Sequence, residues 1–268
     1  MSLESKLANL SLGDEASVIE AIKADGVEKS GFASNISALC AKVSSKNDDE
    51  ALAAMATVKA IAEGCPEAEA FNTQCLGAVL EQADAKTAAV KNAATATALA
   101  MCENITPFAL KSLLPYIFIN LPVEKKWVIR ELALKCVAVF NKNAPKQLGN
   151  ALPEIVPEVT ACMWDTKKQV KAAATEAMKS ACDVIGNKDI EHMTDKIIVA
   201  ITKPKEVPEI MHNMAGVTFV QSVESPALAM VVPLLLRGLR EKKTATKRQS
   251  AVIIDNVSKL VDNPLDAA

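Results

Sequence analysis

The sequence predicts an all-α fold of stacked helix pairs, and three observations carry that prediction. Half of the 268 residues are hydrophobic but only 3% are aromatic, and the chain holds just 9 glycines and 12 prolines. Such an alanine- and leucine-rich composition favours helix over sheet. Apolar residues recur at helical spacing, and an acidic residue followed by lysine returns about every 40 residues.

The helical spacing is clearest between 162 and 185. Val170, Ala173, Ala174, Ala177, Met178, Ala181, Cys182 and Ile185 follow i, i+3, i+4, i+7, i+8, i+11, i+12 and i+15, while Lys171, Glu176, Lys179 and Asp183 fall elsewhere. One stripe is therefore buried and the rest faces water. Alanine in that stripe lets neighbouring helices approach closely.

The recurring motif reads "ADAKTAAVKNAATATA" (83 to 98), "VEKKWVIRELALKCVA" (123 to 138), "WDTKKQVKAAATEAMK" (164 to 179) and "REKKTATKRQSAVIID" (240 to 255). A degenerate form, "KPKEVPEIMHNMAGVTF", lies after residue 200. Its acids, Asp84, Glu124, Asp165, Glu206 and Glu241, are 40, 41, 41 and 35 residues apart. That period matches HEAT and armadillo units, in which no helix pair buries its apolar face alone. The acids are expected as N-caps or first-turn residues. Pro115, Pro153 and Pro233 are expected at the first position of the first helix of three pairs, where proline loses no hydrogen bond.

Residues 13 to 268 are read as a single solenoid, with an atypical N-terminal cap to about 65 and the clearest repeats at 105 to 264. Residues 1 to 12 are read as a flexible tail. Within the cap, "SVIEAIKADG" and "SGFASNISALCAKVSSK" predict short helices with a glycine break, and "NDDEALAAMATVKAIAEGC" an N-capped helix ending at Gly64.

Charge and cysteine bound the function. Residues 1 to 110 hold 8 Lys/Arg against 15 Asp/Glu, net −7, and residues 111 to 268 hold 22 against 17, net +5. The overall −2 argues against a dedicated, strongly basic nucleic-acid-binding domain. Seven scattered cysteines without a C-x-x-C read as buried, reduced thiols in a cytoplasmic protein. The N-terminus lacks the pattern of a secretory signal, and "LLPYIFINLPV" is too short to span a bilayer. No catalytic constellation, metal site, cofactor or small-molecule substrate is expected. His192 and His212 stand apart from any nucleophile, Cys162 and Cys182 lie at core positions, and the acids of "NDDE" and "EAE" read as a cap and a solvated surface.

The basic residues at equivalent turns form the candidate site. They are Lys125, Lys126 and Arg130; Lys167, Lys168 and Lys171; Lys203 and Lys205; and Lys242, Lys243, Lys247 and Arg248. Equivalent turns of a solenoid line one edge, roughly 10 Å apart. Two readings stand: a basic ridge contacting RNA phosphates, or a solvated edge that keeps the solenoid soluble. Trp127 and Trp164 near these turns are read as wedges between repeats, with a partner contact as the alternative.

"LLPYIFINLPVEKKWVIRELAL", "PEIVPEVTACMWDTKKQVKAAATEAM" and "KPKEVPEIMHNMAGVTFVQSVESPALAMVVPLLLRGLREKKTATKRQSAVIIDNVSKLVDNP" resemble the N-terminal HEAT-repeat domain of translation elongation factor 3. A related segment of the general-control translational activator is a secondary match. The resemblance covers roughly residues 105 to 264, and the first hundred residues match only in character. In that family the domain precedes a helical bundle and two ATP-binding cassettes, and it lies on the ribosome against small-subunit ribosomal RNA and proteins. The resemblance thus implies a ribosome or another ribonucleoprotein as partner. No glycine here lies in G-x-x-x-x-G-K-[ST], so the binding role is expected to carry over and the ATPase role is not.

A second function remains open from the sequence: a protein-interaction scaffold with no RNA role. The end of the chain, "AVIIDNVSKLVDNP", looks like an inner repeat, with Val252, Ile253, Val257, Leu260 and Val261 apolar.

Overall fold

The computed structural model describes residues 3–261. The chain opens with α1 (Leu3–Ala8) and α2 (Glu15–Lys29). Helix pairs follow: α3 (Phe32–Val43) with α4 (Asp48–Gly64), then α5 (Glu69–Asn72) and α6 (Leu76–Glu81) with α7 (Ala88–Glu103), then α8 (Leu110–Phe118) with α9 (Trp127–Val139). Next come α10 (Pro145–Cys162) with α11 (Lys168–Cys182), α12 (Lys188–Glu191) and α13 (Thr194–Thr202) with α14 (Val207–Ala215), and α15 (Ser225–Arg240) with α16 (Thr244–Ser258). The second helices of the pairs start at 48, 88, 127, 168, 207 and 244, spaced by 40, 39, 41, 39 and 37 residues. The repeat is more regular in these starts than in the acids, and it reaches back into the segment read as an atypical cap.

The fold is an all-α, HEAT/armadillo-like solenoid of helix pairs, and it divides into two compact units, Met1–Ala144 and Pro145–Ala268. In the first unit α4, α7 and α9 stack in succession, each covered by its own first helix. In the second unit α10 packs on α11 and α15, α15 packs on α16, and α14 packs on α16.

The stripe predicted for α11 is the one buried: Val170, Ala174, Ala177, Met178 and Ala181 are fully enclosed, and Lys171, Glu176, Lys179 and Asp183 are exposed. Asn47 caps α4 by accepting the Asp49 amide at 3.0 Å, and the helix ends at Gly64, as its sequence predicts. The glycine breaks are Gly26 (φ +75°) and Gly31 (φ +80°), both in the left-handed region.

Three expectations change. Residues 3 to 10, read as part of a loose tail, hold α1, with Leu3, Leu7 and Leu10 buried and α1 packed on α2 and α3. Residues 1 and 2, and 262 to 264 of the last repeat, lie outside the described residues. Pro115, Pro153 and Pro233 are interior to α8, α10 and α15 rather than at their starts. Pro145 and Pro226 are the prolines at the openings of α10 and α15. Pro115 and Pro153 are exposed and Pro233 is half-buried, so each ring stands towards the wetter side of its helix. The "EAE" acids are not all solvated either: the half-buried Glu69 carboxylate accepts the Thr106 amide at 2.6 Å and its hydroxyl as well.

One close contact fixes the α15–α16 crossing. A Cβ at Gly238 would meet Ser250 Oγ at 2.2 Å and Met211 Sδ at 3.0 Å, so α15 carries glycine where α16 and α14 press against it. Ser250 is fully buried, and its hydroxyl donates to the Thr246 carbonyl at 2.9 Å. Before α15, residues 217 to 224 run without helix. Asp189 holds this segment by accepting the Val220 and Gln221 amides, both at 2.8 Å, while the Val223 amide donates to Leu260 O at 2.8 Å.

Candidate functional site

The predicted basic residues lie at or just after the turn between the first and second helix of their own pairs. Lys126, Lys167 and Lys243 are the N-cap residues of α9, α11 and α16, all in extended backbone and none capping with its side chain. The motif acids are therefore not the N-caps of these helices. Glu124, Asp165 and Glu241 each lie two residues earlier, where Asp165 Oδ1 accepts the Lys167 amide at 2.8 Å and fixes the turn. Glu206 is the N-cap of α14 but makes no capping bond, and Asp84 precedes the Thr87 N-cap of α7 by three residues.

Lysine at an N-cap is electrostatically unfavourable. The helix N-terminus already carries about half a positive charge, so each such cation costs roughly 0.3–1 kcal/mol. The first-turn amides also lack the side-chain acceptor that Ser, Thr, Asp or Asn supplies at an N-cap. An anion relieves both deficits at once, which is the physical basis of phosphate binding at helix N-termini.

The twelve candidates are not equivalent. Arg130 is buried, 5% exposed, and its guanidinium donates to the carbonyls of Val123, at 3.0 Å, and Lys125. It clamps the turn from its buried side. The helical spacing carried this signal, because Arg130 falls on the stripe of Ala133, Leu134 and Val137. Lys125 pairs with Glu81 at 3.0 Å and Lys203 with Glu206 at 3.3 Å. Lys126, Lys167, Lys168, Lys171, Lys205, Lys242, Lys243, Lys247 and Arg248 are exposed and form no ion pair among the described residues.

Trp127 is half-buried, in keeping with a packing role. Trp164 is 47% exposed and is not a buried wedge. Arg237 of α15 sits over its ring, 5.3 Å from the centroid, and donates to the Ile201 carbonyl at 3.1 Å. Sequence reasoning missed Arg237, because an arginine 73 positions away in an apolar helix gives no sign of which ring it will cover.

The thiols offer little chemistry. Burial pushes Cys182 up to about 12 and Cys102 well above the ordinary thiol value. Cys40, half-buried, is held lower by a hydrogen bond from Cys75. Among the described residues no three His, Cys, Asp or Glu side chains gather as a metal site, and no helix is long and apolar enough to cross a membrane.

The family model described as EF3 N-terminal HEAT repeat matches residues 14–178. The chain belongs to the elongation factor 3 N-terminal HEAT-repeat family. A second model, Elongation factor 3/GNC1 HEAT repeat, matches residues 206–268. Family similarity thus begins near residue 14, well before the position near 105 from which the sequence motifs carried it. Elongation factor 3 of Phytophthora infestans is 44% identical over 199 residues, covering 74% of this chain and 19% of the relative. Elongation factor 3 of Candida albicans is 39% identical over 226 residues, covering 83% and 22%. Elongation factor 3A of Saccharomyces cerevisiae is 39% identical over 199 residues, covering 74% and 19%. The chain spans about a fifth of the length of these relatives.

Proposed function

We propose that this HEAT-repeat chain is a non-catalytic, cytoplasmic docking module that holds ribosomal RNA through the unpaired cations of its inter-helix turns, in the context of translation. The observation that carries the reading is the register of Lys126, Lys167 and Lys243, which occupy the N-caps of three second helices and form no ion pair among the described residues. Charge placed against the helix dipole weakens the fold. Such a feature is compensated when a polyanion binds. Similarity to elongation factor 3 supports a ribosome-related partner, whereas no ATP-hydrolysing step is assigned to this chain. Each turn would meet phosphates with its backbone already ordered, at little ordering cost on binding. Co-sedimentation of the chain with ribosomes tests the reading. Binding at low salt that is lost at high salt supports it, and binding that is absent or indifferent to salt defeats it.

A protein scaffold is the second reading, favoured by Val232, Leu236 and Leu239 on α15 and Val252 and Ile254 on α16, all exposed large hydrophobics. Replacing Lys242, Lys243, Lys247 and Arg248 with glutamate separates the two: loss of ribosome binding supports RNA docking, and retained binding supports the scaffold.

A further inference from the structure

We propose that Trp164 and Arg237 form a stacking platform for one unpaired nucleobase, beside backbone phosphates held by Lys167 and Lys168. The inference rests on the RNA-docking reading above and adds to it a ligand class, single-stranded rather than duplex RNA.

The turn that carries Trp164 is fixed from several sides. Met163 is buried beneath it at 2% exposure, and Asp165 Oδ1 anchors the Lys167 amide at 2.8 Å. Trp164 nevertheless leaves 47% of its surface to solvent, although an indole is among the largest apolar groups a fold can bury. Arg237 is fixed as well. Its guanidinium lies 5.3 Å from the ring centroid while donating to Ile201 O at 3.1 Å, so α10, α13 and α15 meet at this point. Neither partner must be ordered when a ligand arrives, which removes a cost that most exposed side chains bear on binding.

Unpaired bases stack on aromatic rings and on guanidinium planes, and such stacking is tolerant of sequence because every base has a π-face. Lys167 and Lys168 follow Trp164 by three and four residues, are exposed, and form no ion pair among the described residues. An aromatic surface with adjacent free cations is the combination that single strands use. A base paired in a duplex keeps its faces covered by neighbouring pairs, so the platform distinguishes the two forms.

Trp127 is the other tryptophan, so Trp127→Phe makes Trp164 the sole indole reporter. The full chain carrying W127F is titrated with a ten-nucleotide oligouridine, with a blunt RNA duplex of equal length, and with an acidic peptide of matched charge. The expected result is quenching of Trp164 by the oligouridine, little by the duplex and none by the peptide. In the wild-type background, W164A is expected to weaken oligouridine binding roughly tenfold while leaving duplex binding unchanged. W164F should recover part of that loss. K167E/K168E should weaken both RNAs. If W164A leaves oligouridine binding unchanged and no quenching occurs, while K167E/K168E still weakens both RNAs, stacking is overturned and phosphate docking stands. Quenching by the peptide but not the oligouridine overturns the base assignment. Absence of binding to either RNA at low salt overturns both readings.

Discussion

The Arg237 guanidinium lies 5.3 Å from the centre of the Trp164 ring while donating a hydrogen bond to the Ile201 carbonyl at 3.1 Å, so one side chain of α15 ties the end of α10 to the end of α13. A cation over an exposed ring contributes about 0.5–1 kcal/mol. A hydrogen bond from a charged group adds about 1.5–3 kcal/mol at most, less where water can replace it. Arg237→Ala is therefore expected to lower stability by about 1–2 kcal/mol in urea unfolding and to shift Trp164 emission towards that of a more hydrated indole. An unchanged spectrum would contradict the contact.

Gly238→Ala has an expected sign opposite to that of an ordinary helix position. Alanine in place of an exposed helical glycine gains up to about 1 kcal/mol. At Gly238 the new methyl would sit 2.2 Å from Ser250 Oγ. The crossing must open, and a loss of about 1–3 kcal/mol is expected. Adding Ser250→Ala to G238A removes the colliding oxygen, so thermal denaturation of the double variant should recover part of the loss.

Arg130 and Lys126 lie four residues apart on one turn yet should respond in opposite ways. Arg130→Ala leaves the Val123 and Lys125 carbonyls without their buried donor, with an expected loss of about 2–3 kcal/mol. Lys126→Glu removes a cation from a helix N-terminus and places an anion there, and stability should rise by about 0.6–2 kcal/mol at low ionic strength. Ribosome binding should show the reverse sensitivity once the remaining folded fraction of R130A is taken into account.

Asp189 links stability to pH. The Gln221 and Val220 amides hold its carboxyl below the ordinary value of 3.8. A group with a depressed folded value stabilises above its unfolded value and loses that stabilisation as pH falls through the folded one. Protection of the Val220 and Gln221 amides from hydrogen exchange should therefore persist at pH 6 and fade below pH ~3.9, the unperturbed aspartate range. In Asp189→Asn the fading should disappear, and an identical pH profile in both proteins would contradict the assignment.

The regular parts of this fold were legible where burial and period coincide. Val170 to Cys182 and the cap of α4 at Asn47 needed only local spacing and one side-chain bond. The first helix pair was not recognised as a repeat, because its turn carries Asn47 and Asp48 where later turns carry lysine, and the visible motif was the charge. The interior prolines were misread because exposure on a helix, which makes them tolerable, depends on tertiary packing. The candidate site divided for a similar reason. Lys125, Lys203 and Arg130 look like their neighbours in sequence, but Glu81, Glu206 and the Val123 and Lys125 carbonyls engage them in the folded chain.

The salt dependence of ribosome affinity is the most direct measurement of the central claim, compared between the wild-type chain and K167E/K168E/K171E. Each phosphate contact contributes about one unit to the slope of log K against log salt. Phosphate docking predicts a steep negative slope for the wild type, flattened by up to about three units in the triple variant. Equal slopes in the two proteins, or an affinity that does not fall with salt, would contradict it.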